Sequence, residues 1–131
     1  MLRERGIQPS AQRVAVAEFV LATDEHPTAD KVWSRVRKSF AMISRATVYN
    51  TLNLFVKKRL LRQFVFTGGT TVFDANVGNH HHFIDERSGR IYDLPWESLA
   101  VSKLDALKGF QVREYHVIMR GKLKGAAQKR P

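Results

Sequence analysis

Three helix-start signals and one glycine-paired turn follow one another within the first 74 residues, and that order leaves the stretch few folds to adopt. Val14, Ala17, Val20 and Leu21 recur at helical spacing behind Pro9-Ser10 and predict a helix over about residues 9–22. Thr28, after His26-Pro27, caps a second helix over about 28–38, with Val32, Trp33 and Val36 as its apolar stripe. Ser44 caps a third over about 45–58, with Val48, Leu52 and Phe55 turned inward. Two strand-like runs, Leu61 to Phe66 and Thr70 to Phe73, flank Thr67-Gly68-Gly69 and predict a β-hairpin. Three helices followed by a hairpin form a winged helix, in which the third helix enters the major groove of DNA and the hairpin lies beside the backbone.

The outward face of the third helix suits that role. Arg45, Thr47 and Asn50 are polar and placed to reach base edges, while Lys57, Lys58 and the Gly68-Gly69 turn are placed for phosphate. Charge agrees. Of a net +10, residues 1–74 carry +6, residues 75–119 carry −1 and residues 120–131 carry +5. A folded basic segment suits a polyanion, because each neutralised phosphate releases condensed counterions.

Residues 75–79 read as a hinge. Beyond it come a strand near 80–85, a Ser88-Gly89 turn, a strand at 90–93, a helix over 95–107 with Leu99 and Leu104 apolar, and a strand over 110–119. This β-α-β segment, 80–119, is too small to bury a good core alone and is expected to pair with a second copy. The remainder, 120–131, reads as a basic flexible tail. The expected class is α+β: an N-terminal winged-helix DNA-binding domain and a C-terminal α/β dimerisation domain. No apolar run approaches the roughly 20 residues that span a bilayer, so a membrane role is not expected and a cytoplasmic location is. Cysteine is absent, which removes disulfides, thiolate nucleophiles and cysteine-held metals together.

Four of five histidines lie after the hinge: His80, His81, His82 and His116. Strand alternation puts His80 and His82 on one face and His81 on the other. Two imidazoles on one face can share a first-row metal, and with no sulfur available carboxylates complete the set, which suits Fe(II), Mn(II), Zn(II) or Co(II). Asp74 precedes the strand by six residues and Asp93 ends the adjacent hairpin strand, so both are placed to converge on His80 and His82. On the opposite face, His81 with Glu97 and His116 forms a candidate second metal site.

Taken together, these motifs resemble the ferric uptake regulator family of metal-dependent bacterial transcription factors. The likeness runs from about Leu2 to Met119, through Leu2-Arg3-Glu4-Arg5-Gly6, Ser10-Ala11-Gln12-Arg13, His26-Pro27-Thr28-Ala29-Asp30, Ile43 to Leu52, Thr71-Val72-Phe73-Asp74 and the histidine triplet. The resemblance implies a homodimer on a double-stranded DNA operator, with a regulatory Fe(II) or Mn(II) held by His26, Asp74, His80, His82 and Asp93. It also implies DNA contacts from Arg13 and Tyr49. The structural zinc that most relatives hold in two CxxC pairs is excluded here, the first pair's positions matching Asp85 and Ser88. The triplet and Asp93 look like the peroxide-sensing and iron/haem-responsive branches. In the peroxide branch the histidines matching His26 and His80 are oxidised. Zn(II) is an alternative occupant in purified protein. Haem is admitted by the resemblance but supported by no cysteine-containing haem motif.

The expected function is a metal-dependent repressor. Two rivals stand beside it. A two-histidine, one-carboxylate metalloenzyme needs an open coordination position, a substrate pocket and an acid or base, and the sequence suggests none beyond the ligands, so no enzyme is expected. An architectural DNA-binding module with a degenerate metal site would bind DNA independently of metal.

Overall fold

The computed structural model describes residues 1–125. The fold is α+β. The chain divides into two compact units, Met1–Val77 and a second beginning at Gly78.

The first unit holds helices α1 (Ala11–Val20), α2 (Ala29–Val36) and α3 (Arg45–Lys57), then strands β1 (Arg62–Val65) and β2 (Thr71–Asp74). Each helix begins at a hydroxyl that accepts a backbone N–H otherwise left without a helical partner: Ser10 from Arg13 at 3.2 Å, Thr28 from Lys31 at 3.2 Å, Ser44 from Thr47 at 3.0 Å. The apolar stripes of α2 and α3 close on α1 to form a core of Val16, Val20, Val32, Val36, Val48, Leu52 and Phe55, all buried. Helix α1 is turned differently from its sequence pattern: Val16 is buried, whereas Val14 is 40% exposed. Residues 14–17 are apolar all round, so spacing alone does not fix the phase and contact with α2 and α3 does. α3 stops where Arg59 turns left-handed (φ 64°) and the Leu60 N–H bonds the Phe55 carbonyl at 2.9 Å. β1 and β2 pair antiparallel with Phe64 opposite Val72. Gly68 and Gly69, at φ 85° and 76°, supply a left-handed turn that side chains resist.

The second unit is a three-stranded sheet ordered β4-β3-β5, from β3 (His80–Asp85), β4 (Ile91–Pro95) and β5 (Ile118–Gly121). β3 lies in the middle, which is why its three histidines are buried. β4 pairs antiparallel with it and β5 parallel, His82 lying opposite both Asp93 and Ile118.

One expected element is absent among the described residues and another is shortened. No α-helix spans 95–107; short 3-10 turns at Trp96–Ser98 and Leu104–Ala106 stand there instead. Leu99 and Leu104 are five residues apart, which is not helical spacing, and Lys103 between them is left-handed (φ 65°). The long last strand reduces to β5. Its parallel register sets Ile118 against His82, and β3 begins only two residues earlier, so residues before 116 meet no ladder partner in β3. The expected tail starts later than 120, since Arg120 and Gly121 close β5; its last part, 126–131, lies outside the described residues. No helix among the described residues is long and apolar enough to cross a membrane.

Candidate metal centre and nucleic-acid face

Histidine and aspartate donors suited to a metal ion occur in both units. In the first, His26 and Asp74 are buried, with His26 Nε2 3.2 Å from Asp74 Oδ2. His26 takes a left-handed backbone (φ 54°), strain that surrounding bonds must hold. They are visible. The preceding residue, Glu25, is gripped by Lys31 at 3.0 Å and by both Arg35 nitrogens at 3.1 and 3.2 Å. The Lys31 hydrogen bond leads in holding the Glu25 carboxyl below its ordinary value, with Thr23 and Arg35 adding to it against the cost of burial. The following residue, Pro27, accepts the Phe73 N–H at 2.9 Å, tying the loop to β2. Asp74 Oδ1 accepts the Asn76 N–H at 2.9 Å, which fixes the carboxylate and presents Oδ2 to His26.

In the second unit, strand parity brings His80 and His82 to one face and the cross-strand register brings Asp93 beside them. The two Nε2 atoms are 3.1 Å apart, and Asp93 Oδ1 is 3.5 Å from the first and 3.4 Å from the second. The Gly78 carbonyl, 2.7 Å from His80 Nδ1, can only accept, so Nδ1 carries the proton and Nε2 offers its lone pair. That outer hydrogen bond is the one that orients a ligating imidazole. Donors held about 2.1 Å from one first-row ion lie roughly 3.0–3.4 Å from one another at angles between square and tetrahedral. The separations in both units fall in or near that range, so the residues fit the group.

His81, Glu97 and His116 do not gather into a metal-holding set among the described residues. Register explains it. Counting back from Ile118 opposite His82 puts residue 116 on the His80/His82 face, and the His116 ring stands 5.4 Å from that of His82. His81 instead stacks on Trp96 at 4.6 Å, and its Nδ1 accepts the Val117 N–H at 2.9 Å, which consumes that lone pair in holding the sheet together. Glu97 is exposed.

On the first unit, α3 buries Val48, Thr51, Leu52 and Phe55 and exposes Arg45, Tyr49 and Asn50. A cleft of about 360 Å³ brings Arg13 of α1 together with Thr47 and Asn50 of α3. Arg13 is anchored there by a 2.7 Å bond to the Gln8 carbonyl. Lys57, Gly68 and Gly69 are exposed and Lys58 is half-buried. Sequence reasoning missed Asp30, whose Oδ1 accepts the Tyr49 hydroxyl at 3.1 Å and lies 3.6 Å from Arg45 Nε. Asp30 closes the His26-to-Asp30 motif, but an acid in a first helical turn reads as ordinary helix chemistry, so nothing in the sequence marked it for a role on this face.

Comparison with known proteins bears on both units. A model of the ferric uptake regulator family matches residues 4–120. The peroxide-responsive repressor PerR of Staphylococcus aureus (strain Mu50 / ATCC 700699) is 34% identical over 98 residues, covering 75% of this chain and 66% of that protein. The chain therefore spans 66% of the length of that curated relative. Among solved structures, a zinc-bound manganese uptake regulator superposes with a TM-score of 0.69 at 24% identity, covering 93% of this chain and 95% of that one. A Campylobacter jejuni peroxide stress regulator gives 0.64 at 23%, covering 95% and 92%. These two likenesses speak to the fold.

Proposed function

Because the chain belongs to the ferric uptake regulator family, we propose that it is a metal-dependent, dimeric DNA-binding repressor and not an enzyme, and that one Fe(II) or Mn(II) draws its ligands from His26, Asp74, His80, His82 and Asp93. The observation that carries this reading is the spacing of donors: buried imidazoles with a carboxylate, buried Asp74 in one unit and exposed Asp93 in the other, at 3.1 to 3.5 Å within each unit, as donors to a metal ion are spaced. Nitrogen and oxygen donors without thiolate suit Fe(II) and Mn(II), and they also accept Zn(II).

Held by residues of both units, such an ion would supply free energy that favours one arrangement of the DNA-reading heads. Only an ion that binds that arrangement better than the others can do so. Arg13, Arg45, Thr47, Tyr49 and Asn50 then face base edges, while Lys57, Lys58, Gly68 and Gly69 meet phosphate. The test is duplex binding, on a sequence selected from a random pool with Mn(II) present. Wild-type protein is expected to lose most of its affinity on chelation, and His80→Ala or Asp93→Ala to lose the metal dependence. Equal binding with metal and with chelator in the wild type would sink the proposal in favour of an architectural DNA-binding module.

The named activity of the PerR relative supports a signal of peroxide. Fe(II)-loaded protein treated with hydrogen peroxide is expected to gain oxygen mass on His26 or His80, and Mn(II)-loaded protein to gain none. Unmodified histidines in the iron form would leave an iron- or haem-responsive regulator as the reading.

A further inference from the structure

Asp30 places a carboxylate on the face that carries Arg45, Tyr49 and Asn50. Its position in the first turn of α2 accounts for an acid there. It does not account for the two α3 side chains that converge on one oxygen, the Tyr49 hydroxyl at 3.1 Å and Arg45 Nε at 3.6 Å. Arg45 is held a second time: its guanidinium lies 4.6 Å from the centre of the Trp33 ring, which also carries Arg37 at 4.4 Å. Trp33 is fixed in turn by its indole N–H to the Ile43 carbonyl at 3.1 Å.

The Asp30 and Arg45 side chains are 62% and 58% exposed. Such a pair contributes little to stability and exchanges easily for another anion. The Asp30 charge beside Arg45 repels a phosphate that approaches it. A base edge that offers acceptors to Arg45 and Tyr49 together replaces both contacts at once.

We propose that Asp30 is a specificity-determining residue, which occupies Arg45 and Tyr49 in the free protein and so weakens binding to arbitrary sequence more than binding to preferred sequence. This rests on the DNA-binding reading above. The Asp30 hydrogen bond, which leads in raising the Tyr49 phenol above its ordinary pKa, gives a readout that needs no DNA.

The experiment compares wild type, Asp30→Asn, Asp30→Glu and Glu86→Gln, the last making the same charge change in the second unit. Binding to a random-sequence duplex pool is followed against salt with Mn(II) present. Asp30→Asn is expected to bind the pool about two- to fivefold more tightly, with a log–log salt slope steeper by about one. Sequences it selects should show weaker preference than those the wild type selects. Its Tyr49 phenol should titrate lower, and Asp30→Glu should restore part of each change. A gain no larger than that of Glu86→Gln, an unchanged slope, or a loss of binding by Asp30→Asn overturns the proposal. Failure of wild-type protein to bind the pool at any salt is a separate result and overturns the DNA-binding reading with it.

Discussion

His26 combines two demands on one residue: a side chain that donates nitrogen and a backbone in the left-handed region. Asparagine tolerates that backbone but lacks the imidazole. His26→Asn is therefore expected to melt close to wild type in the metal-free state while binding Mn(II) at least about 100-fold more weakly, since even outer hydrogen-bond partners of a ligand cost 10–100-fold. Paired thermal melts and metal titrations check both halves. At this scale the sequence was legible wherever alternation decides. His80 and His82 share a face because strand parity allows nothing else, and Asp93 joins them through a cross-strand register that a short turn sets. His116 lies on the His80/His82 face and not on the expected opposite one, because its parity follows the β5 register, which no local pattern fixes. His26 came only from resemblance, its partner Asp74 being far off in the chain.

The helices and the first hairpin were readable because caps and glycines act locally; their ends shifted by a few residues and little more. Leu52, wholly buried on the inner face of α3, tests that reading: Leu52→Ala is expected to cost about 3 kcal/mol in denaturant unfolding. The β3–β4 turn is held by side chains where a metal-held turn would use thiolates. Asp85 Oδ2 accepts the Ser88 hydroxyl at 2.7 Å and Oδ1 the Arg87 N–H at 3.1 Å, while Ser88 Oγ accepts the Arg90 N–H at 3.1 Å. The Ser88 hydroxyl, then the Arg87 N–H, hold the Asp85 carboxyl below its ordinary value. A carboxyl with a lower pKa folded than unfolded adds stability that is complete above the unfolded value and is lost as pH falls through the folded one. Ser88→Ala should lower the melting temperature by a few degrees at neutral pH and flatten the acid limb of the stability profile. An acid limb identical to wild type would count against this staple. No α-helix forms at 95–107 because Leu99 and Leu104, five residues apart with no periodicity between them, make no apolar stripe.

Across the whole molecule, the split of charge and the cysteine-free histidine cluster point to a polyanion and a metal, and the order of elements by itself points to a winged helix. What sequence could not convey is how the segment before β5 is covered. Phe110 is 75% exposed in one chain, with Leu107 and Val112 also open to solvent. We expect the proposed dimer to cover these side chains, so Phe110→Glu should shift sedimentation toward monomer. A dimer of unchanged strength would place the contact elsewhere. The central claim is that a single ion takes ligands from both units. Its most direct test is a Mn(II) titration, followed by the loss of free-ion paramagnetic resonance, on wild type, Asp74→Asn, Asp93→Asn and the double variant. One ion per chain, weakened by either substitution and with effects that do not add, is the predicted result; two independent ions, or one that senses only a single unit, would contradict it.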